Sequence, residues 1–212
     1  MIPILCLFGG LIVGVMVGRQ LLLNKNMGEA LVANVLEKLN GSHVLINNVT
    51  LPTGDETTQI DHILITEAGL FIIETKHYAG WILGNPRDDR WTQVIYRKKS
   101  RFRNPIMQNY GHIKTVQALF KLPESAFFGV VVFTGNAEFK TDLGPGVILL
   151  DQLTGFIESR REKVLDERQM TYVVGRIEMK RLDRSRETDE YHVNYVRNKI
   201  SRRVHGASSS LP

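Results

Sequence analysis

Asp61, Glu74 and Lys76 are the residues whose types and spacing point to chemistry. The stretch GLFIIETKHYAG, residues 69–80, reads as a buried strand, yet it carries Glu74 and Lys76 two residues apart and so on one face. Charge on a buried strand is costly unless something compensates for it. IDHILIT, residues 60–66, reads as the partner strand, with the turn at EAG, residues 67–69. A two-residue turn at Glu67-Ala68 sets Thr66 against Gly69, and counting outward sets Asp61 against Glu74, with Cβ atoms about 5 Å apart. A three-residue turn makes that contact diagonal. Ile63, Ile65, Leu70 and Ile72 then share one face, and Ile60, Leu64, Phe71 and Ile73 the other. Apolar cover on both faces leaves the charges gathered at one end.

Two carboxylates held that close raise each other's proton affinity. A divalent cation relieves the repulsion, and a few hard oxygen ligands from the protein suit Mg²⁺. A metal so bound polarises a phosphodiester and helps generate hydroxide. Lys76 would hold the attacking water or stabilise charge on the phosphate. The competing reading is a structural Glu74–Lys76 ion pair with Asp61 in a turn. His62 and His77 flank the acids but alternate to the opposite face, as neighbours rather than ligands. His112 shares a helix face with Gln108 at i+4, either supporting the site or packing elsewhere.

The elements that position these residues follow from pattern. NMGEALVANVLEKLNG reads as a helix ended by Gly41, HVLINNVTLP as a strand, and TGDETTQ as a polar loop. Residues 81–103 are loop-like or short-stranded and hold Trp81 and Trp91, both expected in the core. They also hold a basic cluster, Arg97, Lys98, Lys99, Arg101 and Arg103, which either contacts phosphates or is simply solvated. Asn104-Pro105 opens a helix. FFGVVVFTG and GVILL are strands, and Asp151 caps a helix through about Glu167. The order implies a mixed α/β or α+β body, residues 24–168, with a central sheet. A basic, charged extension, residues 169–212, follows, partly helical and ending in a frayed tail.

Length and composition are those of an ordinary globular protein, and Cys6, the one cysteine, excludes internal disulfides and cysteine zinc sites. Residues 1–80 carry 4 Lys/Arg against 7 Asp/Glu, and the rest 23 against 15, an asymmetry that suits an anionic partner. Residues 2–18 are uncharged, and Leu21–Leu23 bring the apolar run near membrane-spanning length. No Lys or Arg precedes it and no small-x-small site follows, so a transmembrane anchor over residues 1–23 is favoured over a cleaved signal peptide or a core helix. Arg19 and Lys25 on its C-terminal side place the body in the cytoplasm. Gly10, Gly14 and Gly18 form a small-residue stripe through which a homodimer would pair.

GE at 28–29 before a helix, QIDHILIT, GLFIIETKHYAGWILG, Trp91 and NPIMQNYGHI occur in one order. Together they resemble the NERD (nuclease-related) domain, a branch of the PD-(D/E)XK nuclease superfamily, over about residues 27–150. The resemblance implies a restriction-endonuclease-like central sheet flanked by helices and an Mg²⁺- or Mn²⁺-dependent nuclease acting on DNA. It aligns Asp61 and Glu74 with the superfamily's metal-binding acids and Lys76 with its lysine. Glu29 matches an additional acid on the first helix, and Gln108 a helix glutamine near the metal. Gln59-Ile60 stands where the superfamily motif has a proline before the acid, as is usual for this branch. The alternative is a nucleic-acid or partner-binding module at the membrane without turnover.

Overall fold

Residues rich in β-branched and aromatic side chains between His43 and His77 fold as three consecutive antiparallel strands, β1 (His43–Thr53), β2 (Glu56–Thr66) and β3 (Gly69–His77). The structure, a computed structural model, describes residues 25–54 and 56–183. The apolar segment 1–23, with Gly10, Gly14 and Gly18, and the tail from residue 184 onward lie outside the described residues. Among the described residues no helix is long and apolar enough to cross a membrane. The polar loop expected at 53–59 shrinks to a tight turn at Gly54 (φ 67°), because Glu56 to Gln59 pair with Thr53 to Thr50. Thr57 turns inward and is buried there, so a polar stretch continues the strand.

The remaining strands are β4 (Gly80–Leu83), β5 (Arg90–Ile95), β6 (Lys98–Arg103), β7 (Phe127–Thr134), β8 (Ala137–Phe139) and β9 (Val147–Leu149). One sheet runs β1-β2-β3-β7-β9, with β7 and β9 parallel to β3. Past Lys76 and Phe133 the parallel pair β3/β7 turns a corner and continues as the parallel pair β4/β8. Gly80 and Gly135 make that corner in left-handed conformation (φ 79° and 84°). The second sheet, β6-β5-β4-β8, grows from it. The body is therefore mixed α/β with two mixed sheets, and residues 81–103 take the short-stranded alternative, with a loop at residues 84–89 between β4 and β5.

Among the described residues four α-helices flank the sheets: α1 (residues 25–36), α2 (Pro105–Gln117), α3 (Leu153–Glu158) and α4 (Glu167–Lys180). Val116 of α2 and Met170, Val173 and Ile177 of α4 pack with Ile63, Ile65, Leu70 and Ile72. Val32 and Leu36 of α1 and Leu153 and Ile157 of α3 pack with Leu64, Phe71 and Ile73. A third cluster, around Ile82, Trp91 and Phe133, fills the second sheet. Trp91 is fully buried as expected, whereas Trp81 is 49% exposed, with Lys140 Nζ 5.0 Å above its ring.

The helix expected from an Asp151 cap to Glu167 runs only from Leu153 to Glu158, and Asp151 lies inside a short 3₁₀ turn ahead of it instead of capping it. Beyond it the backbone N–H groups of Val164 and Leu165 both donate to Glu67 O (2.8 and 2.9 Å), holding the chain extended along the β2–β3 turn. A new helix then starts at a reciprocal cap between Asp166 and Gln169. Because α4 buries three side chains in the first cluster and Leu182 N donates to Thr50 O (2.9 Å), the packed body continues past residue 168.

Gly28 sets how closely α1 approaches the sheet. A Cβ there would sit 2.8 Å from His77 Cβ and 2.9 Å from Thr134 Oγ1. His77 Cβ cannot rotate away, so α1 would have to lift. Alanine improves helix propensity by about 1 kcal/mol over glycine, but overpacking costs about 1–3 kcal/mol. Gly28→Ala is therefore expected to lower the thermal midpoint, read by circular dichroism; an unchanged or higher midpoint would show that α1 docks with room to spare.

Candidate functional site

Glu74 lies near the end of β3 and is 2% exposed. Lys76, two residues on, donates from Nζ to Glu74 Oε1 at 2.6 Å and to Gln108 Oε1 at 3.2 Å. The other oxygen, Glu74 Oε2, accepts from His112 Nε2 (3.2 Å), which leaves His112 Nδ1 against the Thr58 hydroxyl (2.8 Å). Gln108 and His112 are one turn apart on α2, so a single helix face serves both Lys76 and Glu74.

The β2–β3 ladder runs from Thr66↔Gly69 to His62↔Ile73, which brings Asp61 to the position facing Glu74. On the β1 side the ladder skips the same residue: Asn47 pairs with His62 and Val49 with Ile60, while Asn48 between them is left-handed (φ 53°). Asp61 thus sits where its strand is released on both sides. Its Oδ2 accepts the Thr75 N–H (2.8 Å), a cross-strand bond made by a side chain instead of a carbonyl. Its Oδ1 lies 3.5 Å from Lys25 Nζ, which is also 3.3 Å from Glu29 Oε1.

The structure brings Glu29, Asp61, Glu74, Lys76 and Gln108 together, draws His112 to the same site rather than elsewhere, and adds Lys25. Sequence spacing carries a signal for both. Lys25 is four residues before Glu29 and His112 four after Gln108, the helical neighbour distance. His62 and His77 turn away: His62 Nδ1 meets Asn47 Oδ1 (2.7 Å) and His77 Nδ1 meets Thr134 Oγ1 (2.9 Å). Arg97, Lys98, Lys99, Arg101 and Arg103 lie apart, exposed at the turn after β5 and along β6. Their strand leads directly into α2 through Asn104.

Two buried asparagines hold α2 in place. Asn104 caps it by accepting from Ile106 N (2.9 Å), while its Nδ2 donates to Pro86 O (3.0 Å) and Asp88 O (2.6 Å). Asn109 Nδ2 donates to Ile72 O (2.9 Å) and Val130 O (3.1 Å), stitching the helix to β3 and β7. Gly129 lies under α2 as well, where a Cβ would meet the flexible end of Ile113 (Cδ1, 2.7 Å).

Burial and the neighbouring Glu74 charge push the Asp61 carboxyl up to about 7, against the pull of Lys25 and the Thr75 N–H. Burial alone would raise Glu74 as well, but Lys76 and His112 outweigh it and hold Glu74 well below the usual carboxylate range. Burial opposes charge on Lys76 too, yet Glu74 and Asp61 keep it an ammonium at neutral pH. A charged Lys76 donates hydrogen bonds and does not accept protons. Burial holds the His62 imidazole down at about 4, so it is neutral.

The donor set suits a hard divalent cation. Glu29 Oε1 and Asp61 Oδ1 both face the Lys25 ammonium, at 3.3 and 3.5 Å, so one cation stands before two buried carboxylate oxygens. Among the described residues no three His, Cys, Asp or Glu side chains converge as a metal cage. An ion at Asp61 and Glu74 would therefore take most of its ligands from water or substrate, as Mg²⁺ does.

The raised Asp61 pKa has a sign. In the folded state its proton is held more tightly than in the unfolded chain, so its contribution to stability is complete below about pH 4 and is lost as pH rises through about 7. Asp61→Asn removes the charge and keeps an oxygen for the Thr75 N–H. In EDTA the variant is expected to melt above wild type at pH 8, by an amount on the order of a few kcal/mol. That gap should close near pH 4. A variant that melts below wild type at both pH values would show that the Asp61 charge is well compensated.

A family model described as the nuclease-related domain (NERD) matches residues 24–134, a span that holds the acids, Lys76, Gln108, His112 and the basic β6. An uncharacterized protein of Bacillus anthracis is 36% identical over 182 residues, covering 82% of this chain and 84% of its own. No solved structure matches. With the family model covering more than half of its length, the chain belongs to the nuclease-related domain family.

Proposed function

We propose that the body is a metal-dependent nuclease of restriction-endonuclease-like plan that hydrolyses phosphodiester bonds in DNA. In this reading residues 1–23 anchor it in a membrane, with the body in the cytoplasm. The observation that carries the reading is the buried facing of Asp61 and Glu74 beside a charged Lys76, within a nuclease-related family. Asp61 and Glu74 are the residues that would hold Mg²⁺ or Mn²⁺, with Glu29 on α1 supporting them through the Lys25 that it shares with Asp61. A bound divalent ion polarises the phosphodiester and lowers the pKa of an attached water. Lys76 donates to the attacking water or to a phosphate oxygen. Gln108 aims the Lys76 ammonium, and His112 fixes the Glu74 carboxylate. The basic residues 97–103 supply sequence-independent attraction for the phosphate backbone.

A second reading, a nucleic-acid or partner-binding module without turnover, draws on one observation. Lys25 and Lys76 already lie against the acids, so the cluster is balanced without an ion.

The full chain incubated with plasmid and linear DNA in Mg²⁺ or Mn²⁺ is expected to digest them. Asp61→Ala and Lys76→Ala are each expected to lose about a hundredfold or more in rate. Equal digestion by wild type and Asp61→Ala, or no digestion of any substrate offered, would sink the nuclease reading. Salt-sensitive DNA binding that survives both substitutions, with no digestion, would favour the binding module.

A further inference from the structure

The β5–β6 hairpin has features that the acid cluster does not use. Its outer half, residues 95–101, is exposed on both faces, so the ribbon stands clear of the body. Register divides its two faces. Trp91 and Phe102 pair across one face and meet the third core cluster. On the other face Arg90 pairs with Arg103, Thr92 with Arg101, and Val94 with Lys99. Four cations therefore share the outward face, and Arg90 and Arg103 are direct cross-strand partners, an arrangement that costs stability. None of them has a carboxylate within ion-pair distance among the described residues, although Asp88 and Asp89 precede Arg90 in sequence. An anion lying on this face relieves what the fold leaves unbalanced.

The tip adds a second oddity. Tyr96 occupies the two-residue turn in left-handed conformation (φ 54°), where glycine or asparagine is the unstrained choice. Its side chain is 99% exposed, so the strain gains it no burial. Backbone strain held at an exposed aromatic points to use by a partner.

We propose that the β5–β6 ribbon is an arm that enters the major groove of duplex DNA, with Arg90, Lys99, Arg101 and Arg103 on phosphates and Tyr96 against base edges. A two-stranded ribbon fits that groove. Six residues reach about 20 Å, and the rise of about 3.4 Å per base pair makes that roughly six base pairs. The ribbon is rooted at Asn104, the cap of the helix that carries Gln108 and His112, so the arm places duplex relative to the acids. This inference rests on the reading of the body as one that acts on DNA.

The test is fluorescence anisotropy with the full chain and a labelled duplex in EDTA across a salt series, with thermal melts in parallel. Tyr96→Gly is expected to bind about fivefold or more weakly, with the salt slope unchanged and the melting point equal or higher. Arg101→Ala/Arg103→Ala is expected to flatten the salt slope by about 2. Duplex binding by both variants equal to that of wild type would overturn the arm, while leaving the nuclease reading to stand on Asp61-dependent digestion. Loss of binding to vesicles containing anionic phospholipid, with duplex binding intact, would reassign the ribbon to a membrane surface. No duplex binding by wild type would remove the arm and leave the nuclease reading to the digestion assay, whereas Tyr96-dependent binding without digestion would keep the arm and remove the nuclease.

Discussion

Asp61 and Glu74 repel each other from positions that water barely reaches, at 3% and 2% exposure. An uncompensated carboxylate in such a place costs several kcal/mol, so the surrounding elements are tied to the task of compensating these two. Lys76 answers from the same strand, His112 from α2, Lys25 from α1, and the Thr75 N–H from the backbone itself. Because the answers come from separate elements, the docking of each helix becomes part of the electrostatics. Gly28 brings α1 down, Asn109 ties α2 to β3 and β7, and Asn104 fixes where α2 begins. A small change in helix seating is then a change in charge balance.

The two carboxylates receive unlike treatment. Glu74 has a partner on each oxygen and stays ionised, whereas Asp61 has one backbone bond and a distant ammonium. That inequality places the proton of the pair on Asp61 and leaves Glu74 as the fixed charge. The β2–β3 ladder ends at His62↔Ile73, one residue short of Asp61, and the Thr75 N–H beyond it goes to the Asp61 carboxylate.

How much of this was legible depended on the range of the interactions. The facing of Asp61 and Glu74 could be counted from the sequence because a strand alternates with period two and the turn at Glu67-Ala68 is short. Glu29, Gln108 and the basic stretch were legible as residues, but only the first two join the acids. Lys25 reads in sequence only as a charge flanking the apolar segment, because its i,i+4 spacing to Glu29 does not reveal that α1 docks where the same ammonium meets Asp61. For α4 there was a signal, Asp166 and Gln169 three apart ahead of Met170, Val173 and Ile177. It was obscured by the charge-rich residues on either side. The second sheet was hidden by brevity, since β4 and β8 hold four and three residues and depend on each other for pairing.

The corner between the sheets has a consequence for what can vary. At Gly80 a Cβ would come within 2.3 Å of Val94 O, and at Gly135 within 2.8 Å of Tyr78 O. The bend is thus set by backbone lying against backbone, at two places where side chains are absent. Packing residues on either sheet can be exchanged for others of similar size without touching those contacts. The direction in which the ribbon leaves the acids is written in missing atoms, and it is insulated from most of the sequence that surrounds it.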